Sequence, residues 1–325
     1  MKIGKLDNDE LKKLVLDRLP TPDRFVISGP AIGVDCAILR FCDGQVILSA
    51  DPITGAAADI GRLAVNIACN DIAACGIRPT ALLMVVIAPP QTTREEISKL
   101  ADQAASAAKK LNVSIIGGHT EISDAVTRFV VTTTAIGFTY GNQVIQASGG
   151  RAGDAIVMTK TAGLEGTAIL AADHADQLSV LTEQEFKEAR SLINLVSVVE
   201  EGSTGGDLGV NAMHDATEGG ILGASWELAA ASGLGCEIQA DKIPVLPLTA
   251  KICDYLKINP LRLIASGSMI IAAPDPDKLI QELNGKGILG TVIGRLTENT
   301  ERIMTIKDET LELLPSGPDE LYKII

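Results

Sequence analysis

The run "VNIACNDIAACGI" at 65–77 places the tightest constraint on this chain. Its small apolar residues suit burial, yet Asn66, Asn70 and Asp71 sit among them. A carboxylate taken out of water is costly unless a counter-charge or hydrogen-bond donors meet it. The pattern predicts a helix from about Asp59 to Cys75, ended by Gly76 and Pro79, with Asp71 on the face of Leu63, Ile67 and Ala74. Two kinds of partner suit Asp71. An Asn66 or Asn70 amide could satisfy it locally, or a hard cation could sit against it.

Around this helix the chain reads as alternating strands and helices. An amphipathic helix is predicted over 7–19, with Leu11, Leu14, Val15 and Leu19 on one face. "CAILRF" and "QVILSA" read as strands joined by a Cys-Asp-Gly turn at 42–44. "TALLMVVIA" is a third strand; beyond Pro89-Pro90, Thr93 and Glu96 form a capping box that opens a long helix. "VSIIGG" and the β-branched "VTRFVVTTTAIGF" are further strands, and "TYGN" at 139–142 a turn. The aperiodic, glycine-rich "ASGGRAGD" at 147–154 marks a boundary, giving domains 1–148 and 149–325. The second begins with the strand "AIVMTK", followed by helices near 163–174 and 182–200, the latter capped by Thr182 and Glu185. A helix follows Gly219-Gly220, and "SMIIAA" and "LGTVIGRL" supply later strands. The expected class is two α/β or α+β domains.

Charge narrows the partners. A net charge of −13 disfavours nucleic acid and anionic membrane surfaces, and aromatic residues, at 3%, offer little for stacking on bases. Neither an 18-residue apolar run nor an apolar leader is present, so a cytoplasmic protein is expected. The cysteines at 36, 42, 69, 75, 236 and 253 form no C-x-x-C pair and read as core thiols.

The P-loop and the dinucleotide-binding glycine fingerprint are both absent. What the chain offers instead is a scatter of single carboxylates at the ends of apolar elements: Asp35, Asp51, Asp71, Glu121 and Asp215. Each alone reads as a turn former or cap. Brought together they would repel one another unless Mg²⁺ sat between them, and Mg²⁺ commonly bridges carboxylates to phosphate oxygens. Gly219-Gly220 opening a helix offers free N–H groups to an anion, and Gly117-Gly118 after "VSII" permits the same close approach. Lys160 is a candidate phosphate cation. His119 and His214 lie in these clusters and suit acid–base work.

Taken in order, "GVDCAIL", "SADPI", "VNIACNDIAACGIRPTALL", "IIGGHTEI", "MHDATEGGI" and "LRLIASGSMIIA" resemble the aminoimidazole ribonucleotide synthetase superfamily over about residues 29–300. That superfamily also holds thiamine-monophosphate kinase, selenophosphate synthetase and the carbamoyl-dehydrating hydrogenase maturation protein, the branch this chain is most similar to. The resemblance implies a homodimer joined through the sheets of its N-terminal domains. It also implies ATP and Mg²⁺ bound in a cleft closed by the C-terminal domain. It places Asp51 and Asp71 on metal-bridged phosphates, with Asp35 and Asp215 as further metal ligands. Asn70, Gly117, Gly118, Thr120, Lys160, Thr217, Gly219 and Gly220 would lie around the nucleotide. His119, Glu121 and His214 would be the candidates for proton transfer.

The chemistry so implied is phosphoryl transfer to an amide-type or other small acceptor, with a maturation protein as a further partner. Two departures qualify it. The chain ends "DELYKII" where the maturation proteins carry a terminal cysteine, so the carbamoyl-carrier step is not expected in cis, and their N-terminal glycine-rich loop is replaced by "DNDELKKL". The competing readings are a small-molecule kinase like the thiamine-monophosphate enzyme, and a non-catalytic ATP-binding dimeric partner.

Overall fold

The Phe41–Gly44 hairpin shows how directly the local sequence is obeyed. In this computed structural model, which describes residues 8–9, 12, 26–28, 31–34, 36–54, 56–141, 143–307 and 309–324, Phe41 pairs with Gly44 and Cys42 takes the turn at φ 52°. Of the predicted 7–19 helix only Asn8, Asp9 and Lys12 are described, all helical; the remainder lies outside the described residues, as do Asp35 and Asn142.

Strands β1 (Val26–Ser28), β2 (Ala37–Phe41), β3 (Gly44–Ile53), β4 (Pro79–Ala88), β5 (Ser114–Ile122) and β6 (Val130–Thr139) form one sheet in the order β1-β2-β3-β6-β4-β5. Among the described residues of this sheet, only β4 and β5 pair in parallel. Helix α1 (Ile60–Ala74) and helix α2 (Arg94–Leu111) pack with this sheet, and every residue of α1 except Arg62 is buried. Helix α2 opens with the predicted box: Thr93 accepts from the Glu96 N–H while Glu96 accepts from the Thr93 N–H.

The chain enters a second sheet after Thr139. Its strands are β7 (Ala155–Thr159), β8 (Ala212–Asp215), β9 (Gly235–Gln239), β10 (Met269–Ala273), β11 (Gly290–Thr297), β12 (Arg302–Ile306) and β13 (Glu309–Glu312), in the order β13-β12-β9-β11-β7-β10-β8. Helices α3 (Leu164–Asp173), α4 (Glu183–Ser191), α5 (Val199–Leu208), α6 (Gly220–Ala231), α7 (Pro247–Leu256) and α8 (Pro276–Gly285) lie in this half. The mixed sheets with helices make this the two-part α/β architecture expected.

Four local expectations need correction. The predicted helix 182–200 keeps its Thr182–Glu185 box but breaks after Ser191 into a 3-10 turn, Leu192–Leu195, before α5 starts at Val199. The strand read as "VSIIGG" does not stop at Gly118: parallel pairing with β4 carries β5 on through residues 119–121 to Ile122. The strand read from Val126 begins only at Val130, and Cys42 is exposed, unlike the other five thiols.

The two halves meet across a seam of small residues. A Cβ at Gly202 of α5 would stand 2.1 Å from the Ala73 carbonyl oxygen of α1, and one at Gly206 would stand 2.4 Å from that of Gly76. Asn70 clasps the same seam, donating to the Val196 carbonyl at 2.8 Å and accepting from the Val198 N–H at 2.9 Å. Val65, Cys69 and Ile72 share one apolar cluster with Val157, Val198 and Met213 from the second half.

We predict that Gly202→Ala lowers stability by about 1–3 kcal/mol through overpacking against backbone that has no room to yield. Asn70→Ala should cost a similar amount, about 1–3 kcal/mol, because it strands two buried main-chain groups. Chemical denaturation of both variants checks this; wild-type midpoints would contradict a close-packed seam.

Candidate functional site

Asp71 owes its position to α1, which carries it, 4% exposed, to the lip of a cavity of about 600 Å³ between the two halves. There it accepts a hydrogen bond from the Ser49 hydroxyl of β3. Two residues along β3, Asp51 lines the same cavity. From the second half, β8 delivers His214 and Asp215, both buried, and Thr217 follows in the loop before α6. Five of the residues singled out from sequence therefore converge, although 163 positions separate Asp51 from His214 along the chain.

His214 is held from behind, its Nε2 lying 2.9 Å from Glu227 Oε2 of α6. A carboxylate on one ring nitrogen fixes the ring's orientation and its tautomer. Beside Asp71, burial pushes the Cys69 thiol up to about 12, with the Asp71 charge adding to the effect, so this cysteine is no nucleophile at neutral pH.

Other expected residues do different work. The Asn70 amide is consumed by the seam. Lys160 donates to the carbonyls of Ser197 at 2.7 Å and Gly267 at 2.8 Å and pairs with buried Glu201, so its charge is committed within the protein rather than to a phosphate. Gly117, Gly118, His119, Thr120 and Glu121 stand exposed on β5 at the sheet edge and do not line the cavity of a single chain. His119 lies 3.5 Å from Glu121 there. The close approach at Gly118, where a Cβ would meet the Met84 carbonyl oxygen at 1.8 Å, is to the neighbouring strand β4.

The start of α6 does receive an anion, one belonging to the chain itself. The Gly219 N–H donates to Asp319 Oδ2 at 2.8 Å, and Asp319 Oδ1 accepts from the N–H groups of Ile264 at 3.1 Å and Leu321 at 2.8 Å. The Gly220 N–H turns back to the Thr217 carbonyl. The first turn of this helix therefore does not offer the open anion site expected of Gly219-Gly220.

Sequence reading missed three carboxyls in the cavity wall: Glu165 in the first turn of α3, Glu218 before α6, and Asp319. Glu165 carried the same signal as Asp71, a lone carboxylate within an apolar helix, "LEGTAIL". Burial pushes Glu165 up to about 7 despite hydrogen bonding with Ser266, and Asp319 and Glu218 add to the rise. Burial likewise raises Asp319 to about 6 against its three N–H donors. The Tyr322 hydroxyl donates to Glu218 at 2.9 Å, and burial followed by the Glu218 charge pushes its pKa up, so it keeps its proton.

The chain belongs to the AIR synthase related protein family: the family's N-terminal domain model matches residues 33–139 and its C-terminal domain model residues 151–307. A protein of Methanocaldococcus jannaschii named for hydrogenase expression and formation is 30% identical over 84% of this chain and 81% of its own length. The carbamoyl dehydratase HypE of Cupriavidus necator is 29% identical over 70% of this chain and 64% of its own. Among solved structures, a HypE–HypF complex superposes with a TM-score of 0.72 at 21% identity, covering 86% of this chain and 92% of its counterpart. HypE in complex with ATP superposes at 0.69 and 20% identity, over 98% and 97%. These likenesses bear out the resemblance to the hydrogenase maturation branch and the fold it implies.

The raised carboxyls have a signed consequence. The folded protein holds the Glu165 proton more tightly than the unfolded chain, so the stability this confers is present at low pH and is lost as pH rises from about 4.5 to about 7. Asp319 acts in the same sense between about 3.8 and about 6. Glu165→Gln should therefore be more stable than wild type above that window, by on the order of 2–3 kcal/mol, and should flatten the fall of stability through it. Thermal melts across the pH range measure this; equal slopes for the two proteins would contradict the assignment.

Proposed function

We propose that this chain is an ATP- and Mg²⁺-dependent enzyme of the hydrogenase maturation type, which activates a small acceptor by phosphoryl transfer in the cavity between its halves. Domain 1–148 supplies the nucleotide and dimer surfaces, and domain 149–325 closes the cleft. The observation that carries this reading is the meeting of Asp51, Asp71 and Asp215 around one cavity in a fold whose solved neighbours include HypE with ATP.

The donor set fits the metal in a particular way. Among the described residues no group of three or more His, Cys, Asp or Glu side chains is spaced to hold an ion by itself. Mg²⁺ is ordinarily held by one or two carboxylates with phosphate oxygens and water completing its shell, so an incomplete protein set suits it when nucleotide is present. Asp71, with Asp51 or Asp215, would hold it, and it would supply neutralisation of phosphate charge. This also explains how a chain of net charge −13 accommodates a polyanion.

The chain's own residues do the rest by position. Phosphoryl transfer asks chiefly for alignment and charge neutralisation, and no protein nucleophile is required. His214, oriented by Glu227, stands at the wall to take a proton from the acceptor.

A homodimer suits the first sheet. β5 is an exposed edge strand, and Ile115, Ile116 and Ile122 on it stand with Leu83, Val85 and Phe138 as exposed apolar residues. An open apolar edge of this kind pairs readily with a second copy. Such pairing would bury His119 and Glu121 at the junction. The HypE–HypF complex gives a precedent for a maturation partner. Among the described residues no helix is long and apolar enough to cross a membrane, and a cytoplasmic setting agrees with the metabolite chemistry proposed.

Calorimetric titration of ATP is expected to show Mg²⁺-dependent binding that Asp71→Ala weakens by at least about 100-fold, roughly 3 kcal/mol, while its melting profile stays native-like. Unchanged affinity in that variant would sink the metal assignment. Light scattering should report a dimer at micromolar concentration; a monomer would count against the edge-strand interface.

A further inference from the structure

The carboxyls of the cavity wall say something about the acceptor. Glu165 from α3, Glu218 from the loop before α6 and Asp319 from the C-terminal segment reach one cavity from three separate stretches of chain, each near enough to disturb another's charge. Two of the three are satisfied: Asp319 by three backbone N–H groups, Glu218 by the Tyr322 hydroxyl. Glu165 is different. It is 2% exposed, and although it faces Ser266, its Oε2 has no hydrogen-bond partner among the described residues. A buried carboxylate oxygen in that state costs free energy until a donor reaches it.

The protein supplies no such donor with a charge. Among the described lining residues the basic side chains are His214, which pairs with Glu227, and Arg128, which is exposed and lies toward Tyr322. Ile169, one helical turn beyond Glu165, lines the same cavity with Ile264 and Leu321, giving apolar wall beside the unmet oxygen.

We propose that the acceptor of this site carries a small organic cation bearing N–H donors, an alkylammonium or amidinium-type head that meets Glu165, Glu218 and Asp319, with a carbon chain along Ile169, Ile264 and Leu321 and the phosphoryl-accepting group elsewhere on the molecule, since a protonated nitrogen has no lone pair to give. This rests on the phosphoryl-transfer reading for the word acceptor, but not for the binding itself. The wall favours such a cation over carboxylates and phosphate esters, because a second anion would meet three carboxyls with only the exposed Arg128 to offset them. The upward push on Glu165 to about 7 agrees, since it marks a carboxyl lacking the countercharge that the ligand would bring.

The test is calorimetry on the full chain with agmatine and putrescine as probes, glutarate and inorganic phosphate as the anionic counterparts, and MgCl₂ alone as the metal control. Both amines should bind while the anions do not, and Glu165→Gln should weaken amine binding by at least about tenfold. Glu218→Gln, at a less buried position, should weaken it in the same direction and serves if Glu165→Gln folds poorly. Absent amine binding, equal binding of glutarate, or Mg²⁺ binding alone that vanishes in Glu165→Gln would each overturn the proposal. MgATP titrated into the same wild-type sample separates the two claims. Nucleotide binding without amine binding overturns this inference alone, whereas amine binding without nucleotide overturns the phosphoryl-transfer reading and leaves the cation site standing.

Discussion

Everything in this molecule turns on how closely α1 can be approached. It is buried on nearly every side, by its own sheet on one flank and by α5 of the other half on another. That second contact is possible only because Gly202 and Gly206 bring no side chains to it. Close packing of this kind does not deform smoothly, so the seam fixes the relative position of the two sheets. The distance between Asp71 and Asp215 is a result of that fit. Small residues in "NDIAACGI" and "EEGSTGGDL" therefore determine the site without touching anything that enters it.

Charge is arranged with the same economy. The cavity carries Asp51, Asp71, Glu165, Asp215, Glu218 and Asp319, an assembly that would be unfavourable if all were ionised with nothing between them. The chain relieves part of this by its own means: Ser49 on Asp71, backbone N–H groups on Asp319 and Tyr322 on Glu218. On the readings proposed, what it leaves unrelieved is divided between a place for a metal with phosphate and a place for an organic cation. The potential phosphate cation, Lys160, is spent on holding β7 to α5 through Glu201. Metal-carried phosphate is then the consistent solution for an acidic wall.

The sequence made much of this legible where the signal was local. The Cys-Asp-Gly hairpin, the limits of α1 and the boxes at Thr93 and Thr182 each rest on chemistry within a few residues, and each stands in the structure. Asp71 was visible because a carboxylate among small apolar residues needs a partner. Glycines mislead where the sequence suggests backbone open to an anion. At Gly118 the missing Cβ makes room for β4, and at Gly219 the N–H group meets Asp319 from 100 residues away. No periodicity or spacing reports such a contact. The interruption between α4 and α5 is hidden for a related reason: the backbone at 196 and 198 bonds to Asn70, a residue more than 120 positions away.

The most direct measurement of the central claim is a crystal structure of the protein with Mn²⁺ and a non-hydrolysable ATP analogue, read by anomalous scattering. The account predicts an anomalous peak between the phosphates and the Asp71 carboxylate, with Asp51 or Asp215 as a second protein ligand, inside the cavity between the halves. A nucleotide seated elsewhere, or a metal bound without Asp71, would contradict it.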